Sequence, residues 1–217
     1  MSTIATTPTA SGGASAWIPP RIHRMTVEEY ERMVASGAIQ SRNRFHLING
    51  YLVEKMTHNP PHAVSFQRCG GELARAAPAG WHVRPALPIR LPGQSSEPEP
   101  DHCVARGAID DYLEGHPGPG DVALVVEVAD SSLAEDRDYA ANLYGPAGIP
   151  ACWIVDVNGR RVEVYTGPGP AGYGSTEVFA EGQSVPVVIG GREVGRIAVA
   201  DILPPRRPGT KAEGNGA

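Results

Sequence analysis

Two acids sit where acids are hard to keep. Glu127 lies inside Val122-Ala123-Leu124-Val125-Val126-Glu127-Val128, a run that is otherwise apolar and largely β-branched. A carboxylate buried there without a partner loses its hydration at high cost. Asp101 closes the segment Pro98-Glu99-Pro100-Asp101 and opens onto His102-Cys103-Val104-Ala105. Converging carboxylates repel one another and raise a pKa, and a shared divalent cation removes that conflict. The two residues thus invite a metal-dependent hydrolase reading. Two plainer readings stand beside this one. Asp101 could be a turn or capping acid, and Glu127 could be half of a buried ion pair with an arginine.

The rest of the composition narrows the setting. The chain has 217 residues, enough for one compact domain with tails and a substantial core. Its formal net charge of −5 provides no global basic field for nucleic acid, although arginine supplies nearly all the positive charge and a local basic groove stays open. The only lysines are Lys55 and Lys211, and neither lies shortly after Glu127. Cys69, Cys103 and Cys152 are far apart and form no Cys-x-x-Cys pair. They read as reduced, mostly buried thiols of a cytoplasmic protein. No apolar run is long enough to span a bilayer, and no basic-then-apolar leader opens the sequence. Residues 1–20 and 204–217 read as disordered tails around a domain over 21–203.

The elements that must position the two acids alternate in type. Thr26 and Glu29 form a capping box ahead of Val27, Tyr30, Met33 and Val34, which recur at helical spacing, and Gly37 is a stop. Asn49-Gly50 between 44–48 and 51–56 predicts a hairpin with a type I′ turn. Residues 60–77 read as a second helix, with Pro60 and Pro61 in its first turn. Residues 83–91 are extended, 101–105 a short strand and 122–128 a central one. Ser132 can cap a helix running to about Tyr144, where Gly145-Pro146 ends it. Residues 152–156 form another buried strand, and Asn158-Gly159 turns the chain into 161–165. The Gly/Pro-rich stretches 107–120 and 167–174 read as surface loops, and 176–202 is strand-rich. The fold class is α/β (α+β): a mixed central sheet flanked by helices.

Taken in order, certain residues are similar to a known family. They are Arg44-Phe45-His46-Leu47-Ile48-Asn49-Gly50, His62, Pro100-Asp101 and Leu124-Val125-Val126-Glu127-Val128 with Ser131-Ser132. Asp136-Arg137 and Tyr144 follow, and then the strongest fragment, Ala147-Gly148-Ile149-Pro150-Ala151-Cys152-Trp153-Ile154-Val155-Asp156. The set resembles the Uma2 family (DUF820) of restriction-endonuclease-like proteins, a branch of the PD-(D/E)XK nucleases, over roughly residues 25–203. The resemblance implies Mg²⁺ (or Mn²⁺) held by Asp101 and Glu127, with a lysine positioning the attacking water. It also implies DNA as the partner, cleaved at a phosphodiester bond, and leaves room for a homodimer.

The chain departs from the family pattern at several points. His46 and Tyr51 stand where the family usually has glutamates. The lysine belongs four residues before Tyr144, and that position is Ala140. Arg137, one turn earlier, could project on the same face and hold a phosphate, but it stays protonated and is a poor base. His46 is a candidate metal ligand or proton acceptor, with a satisfied, partly buried histidine as the alternative. His62 reads as a helix-start residue packed on the sheet, Asp136 as an acid favoured by the helix dipole, Tyr144 and Trp153 as core, and Asp156 as a turn acid. Two functions are therefore expected: a Mg²⁺-dependent DNA endonuclease with an altered site, or an inactive nuclease-fold protein that binds nucleic acid or a protein partner. A purely structural module is a third reading.

Overall fold

A computed structural model describes residues 23–39, 45–55 and 59–206. Residues 1–20, most of 204–217 and Met56 lie outside them, so the expectations for the tails and for the end of the hairpin fall there. Helix α1 (Val27–Ala35) opens with the expected capping box, Thr26 Oγ accepting from the Glu29 N–H and the Glu29 carboxylate from the Thr26 N–H. Strands β1 (Phe45–Ile48) and β2 (Tyr51–Glu54) form a two-stranded hairpin. Asn49 and Gly50 both have positive φ, at 49° and 80°, as a type I′ turn requires.

A six-stranded mixed sheet is the centre of the fold, in the order β3-β4-β5-β6-β7-β8. The strands are β3 (Trp81–Pro85), β4 (His102–Arg106), β5 (Val122–Ala129), β6 (Ala151–Asp156), β7 (Arg161–Gly169) and β8 (Gly172–Ala180). Only β5 and β6 run parallel. The crossover between them is helix α3 (Leu133–Tyr139), which continues as a wider turn over Ala140–Tyr144. In that turn the Gly145 N–H reaches back five residues to the Ala140 carbonyl, at 3.1 Å.

Alternation along β5 gives the sheet two different faces. Leu124, Val126 and Val128 pack with Cys69 and Leu73 of helix α2 (Pro60–Ala76), with the hairpin β9 (Ser184–Ile189) and β10 (Arg192–Ala198), and with the short helix α4 (Val199–Ile202). Val125 and Ala129 pack instead with Ala140, Leu143, Tyr144, Cys152 and Ile154. Glu127 belongs to this second face, under the wide turn.

The stretch 167–174 is not the loop that its glycines suggested. β7 and β8 continue through it as one long hairpin, pairing Pro168 with Tyr173. Pro168 lies beyond the last β6 partner, Thr166, so its missing N–H breaks no ladder on that side. The turn end of this hairpin meets the wide turn backbone to backbone. A Cβ on Gly145 would stand 2.7 Å from the Gly172 carbonyl carbon, and one on Gly172 would stand 2.8 Å from the Ala141 oxygen. Cys69, Cys103 and Cys152 are buried free thiols. Among the described residues no helix is long and apolar enough to cross a membrane.

Candidate active site

The β4–β5 register sets the two acids against each other. His102 pairs with Val126, so Asp101, just before β4, faces Glu127 across the antiparallel ladder. Side chains directly opposite share a face. The backbone then ties the pair together. The Asp101 N–H donates to Glu127 Oε2 at 3.1 Å, and the Val128 N–H donates to Asp101 Oδ2 at 2.7 Å. Both carboxylates are buried, and both line one cavity. No arginine pairs with either among the described residues, unlike the plainer reading in which Glu127 is half of an ion pair.

Side chains from three helical segments complete the setting. The Tyr144 hydroxyl donates to Glu127 Oε1 at 2.6 Å. His62 Nε2 lies 3.0 Å from Asp101 Oδ2. Asp136 enters from α3, buried, with the Ser132 hydroxyl donating to it at 2.6 Å. Burial, followed by the charges of Asp101 and Asp136, holds the Glu127 carboxyl well above the usual carboxylate range. Burial above all pushes Asp136 up to about 6, with the charge of Asp101 adding to it against the Ser132 hydrogen bond. The three acids therefore crowd each other, which is the electrostatic signature of a place that would gain from a cation.

Of the residues singled out from sequence, Asp101, Glu127 and His46 line the same cavity. Burial, and then the charge of Lys55, lowers the His46 pKa to about 4, so its ring is neutral near pH 7. His46 Nδ1 has no hydrogen-bond partner among the described residues. Arg137 is a correction. Its guanidinium turns away and grips Glu163 of β7, with Nε 2.9 Å from Oε2, and it does not line the cavity. Ala140 is fully buried among apolar side chains, on the same helix face as Tyr144.

Four residues come closer to the acids than their sequence readings allowed. His62 and Asp136 are not merely packing or dipole residues. Tyr144 is core, as expected, yet its hydroxyl reaches Glu127. Lys55 follows β2 and lines the cavity, ion-paired with Glu99. A signal existed for Asp136 in its Ser132 partner at i+4 spacing. For Lys55 the signal was its rarity, one of two lysines, at the end of the hairpin that carries His46.

The donor set fits a hard cation held loosely. Among the described residues no three His, Cys, Asp or Glu side chains form a preformed metal cage. Mg²⁺ does not need one, because it is commonly bound through one or two carboxylates, with waters and substrate phosphates filling its octahedron. Among the described residues no hydrogen bond reaches Asp101 Oδ1, and each Glu127 oxygen accepts one.

Comparison with known proteins agrees with the geometry. A family described as "Putative restriction endonuclease", Uma2, matches residues 27–199. A solved structure from Anabaena variabilis ATCC 29413, described as "a putative nuclease belonging to DUF820", superposes with a TM-score of 0.63. It is 16% identical, over 82% of this chain and 97% of that one, so the likeness speaks for the fold. No curated protein matches the chain. With the family pattern covering most of the length, on a mixed sheet of the same nuclease-like fold, this chain belongs to the Uma2 family.

Proposed function

We propose that the protein is a metal-dependent endonuclease that hydrolyses phosphodiester bonds of DNA, with Asp101 and Glu127 holding Mg²⁺ or Mn²⁺. One observation carries the reading: two buried carboxylates, each accepting a backbone N–H across the β4–β5 ladder, line one cavity and have no arginine or lysine partner among the described residues. Bound there, the metal would activate water and stabilise the charge that builds on the phosphate.

The chain's own groups do the holding. The Val128 N–H and His62 fix Asp101 Oδ2. Tyr144, kept protonated by burial and by the Glu127 charge, donates to Glu127 and fixes its orientation. Asp136 adds a third negative charge that favours a divalent cation. Neutral His46 offers Nδ1 to a water or a proton.

The test is Mg²⁺ and Mn²⁺ titration by calorimetry, then cleavage of plasmid DNA by the same preparation. Metal binding with cleavage, both lost in Asp101→Asn and Glu127→Gln, supports the reading. Cleavage unchanged in both variants removes it. Ala140 favours a second reading, an inactive nuclease fold that binds nucleic acid or a protein partner. Metal binding without any cleavage would select that one.

A further inference from the structure

We infer that Lys55 is the cationic group of this site, supplying from the hairpin the positive charge that the Uma2 pattern places at position 140, but directed at the phosphate. The inference rests on the nuclease reading above and deepens it.

The need comes from charge. The cavity is lined by seven carboxylates, among them Glu99, Asp101, Glu127 and Asp136. A phosphodiester is itself an anion, and such a wall repels it. Bound metal offsets part of that field, and a second positive charge would offset more. Position 140 cannot supply it, since Ala140 is buried with no charged atom. Arg137 cannot either, because Glu163 holds it. Among the described residues that line the cavity, Lys55 is the one Lys or Arg.

Its placement is built rather than incidental. The hairpin is docked through its turn: the Gly50 N–H donates to the Ser95 carbonyl at 2.8 Å and the Asn49 N–H to Ser96 Oγ at 2.7 Å. The Glu97 N–H donates to the Leu47 carbonyl, also at 2.8 Å. The loop that receives the hairpin runs on through Glu97 into Pro98-Glu99-Pro100-Asp101, where the prolines restrict the backbone. One short segment thus carries both Glu99, the partner of Lys55, and Asp101, the metal-site acid. The Lys55 and Glu99 side chains are mostly buried, with 20% and 16% exposed. The charge of Lys55 is also felt at His46, across the same cavity. An ammonium on a flexible stem is a point charge with three donors. Here it is suited to hold a non-bridging phosphate oxygen, with Glu99 as the positioning residue.

The experiment uses the full chain as wild type, Lys55→Met, Lys55→Arg and Asp101→Asn. Three quantities are measured: Mg²⁺ affinity, affinity for a short DNA duplex with Ca²⁺ in place of Mg²⁺, and kcat and KM for plasmid cleavage. Lys55→Met should keep Mg²⁺ affinity and melting temperature. It should bind the duplex about tenfold more weakly, the scale of one hydrogen bond to a charged group. Its kcat should fall on the order of 10²–10³-fold, the scale of one lost electrostatic donor. Lys55→Arg should recover duplex binding and part of kcat.

Wild-type cleavage by Lys55→Met, with Asp101→Asn inactive, overturns the inference and leaves the nuclease reading standing. Full cleavage by Asp101→Asn overturns the nuclease reading, and the inference with it. Wild type that binds Mg²⁺ and cleaves nothing selects the inactive-fold reading, and overturns the endonuclease reading and the inference together. A drop in melting temperature in Lys55→Met, with Lys55→Arg restoring stability but not duplex binding, overturns it by making the Lys55–Glu99 pair purely structural.

Discussion

Glu163 and Asp156 are as buried as Glu127 and Asp101, at 4% exposure each against 7% and 8%, yet they keep different company. Arg137 and Arg161 both reach Glu163, and Arg161 also pairs with Asp156 at 3.1 Å. The Arg137 hydrogen bond in particular holds the Glu163 carboxyl below its ordinary range. Glu127, two strands away, is pushed the other way. Among the described residues, arginines pair with Glu163 and Asp156 and none pairs with Asp101 or Glu127. The difference separates acids held by arginines from a pair that, on the proposed reading, would take an external cation.

The comparison breaks first, and by the widest margin, at Glu127. Glu127→Gln should abolish Mg²⁺ binding and lower cleavage by at least about 10²-fold, while the metal-free protein keeps or gains melting temperature. A large loss of stability would place Glu127 with the structural acids instead.

Asp136 gives the next effect, and it depends on pH. Its folded pKa of about 6 lies above the ordinary 3.8, so the metal-free folded state holds extra proton between those values. Stability is therefore lost as pH rises through that window. Asp136→Asn should stabilise the metal-free protein at pH 7 by about 1–3 kcal/mol. His46 acts in the opposite sense. Its folded pKa of about 4 lies below 6.5, so the unfolded state holds more proton in between and stability rises with pH. In Asp136→Asn the His46 trend should emerge, as denaturant midpoints that climb from pH 4 to 6.5. A midpoint that still falls over that range would show that Asp136 is not the source of the opposing slope.

Glu163→Gln should cost about 1–2 kcal/mol, moderated by the 43% exposure of Arg137. It should leave Mg²⁺ affinity unchanged, and calorimetry that showed otherwise would blur the line between the two groups of acids. The smallest effect belongs to the surface. Glu181, hydrogen-bonded by Arg160 and Arg206, has a carboxyl lowered to about 2. Its contribution is present above pH 4.5 and is lost as pH falls through 2. Glu181→Gln should shift stability by less than about 1 kcal/mol, and salt should erase the shift.

Much of this was legible in the chain because the signals were local. A capping box, an Asn-Gly turn and a β-branched run each depend on neighbours in sequence, and each formed where expected. Asp101 and Glu127 were singled out because an acid in an apolar strand is conspicuous and because the family order supported it, and the β4–β5 register brings them face to face. What was missed depends on distant contacts. Arg137 was expected near the acids from helical spacing alone, and Glu163, 26 residues away, captured it. Lys55 was set aside for its place in sequence, whereas its place in space is set by a hairpin docked on Ser95 and Ser96. The β7–β8 hairpin ran through a glycine-rich stretch because ladder pairing outweighed weak propensity.

Gly145 and Gly172 give the helix that carries Tyr144 a hard stop. Where their backbones meet there is no side chain to rotate, shorten or repack, so the clearance cannot be retuned gradually. A methyl at either position would act as a shim, lifting the wide turn from the hairpin and withdrawing the Tyr144 hydroxyl from Glu127. The carboxylate would then lose its alignment through a change that touches neither acid. The alignment of Glu127 thus depends in part on two residues that have no side chain at all.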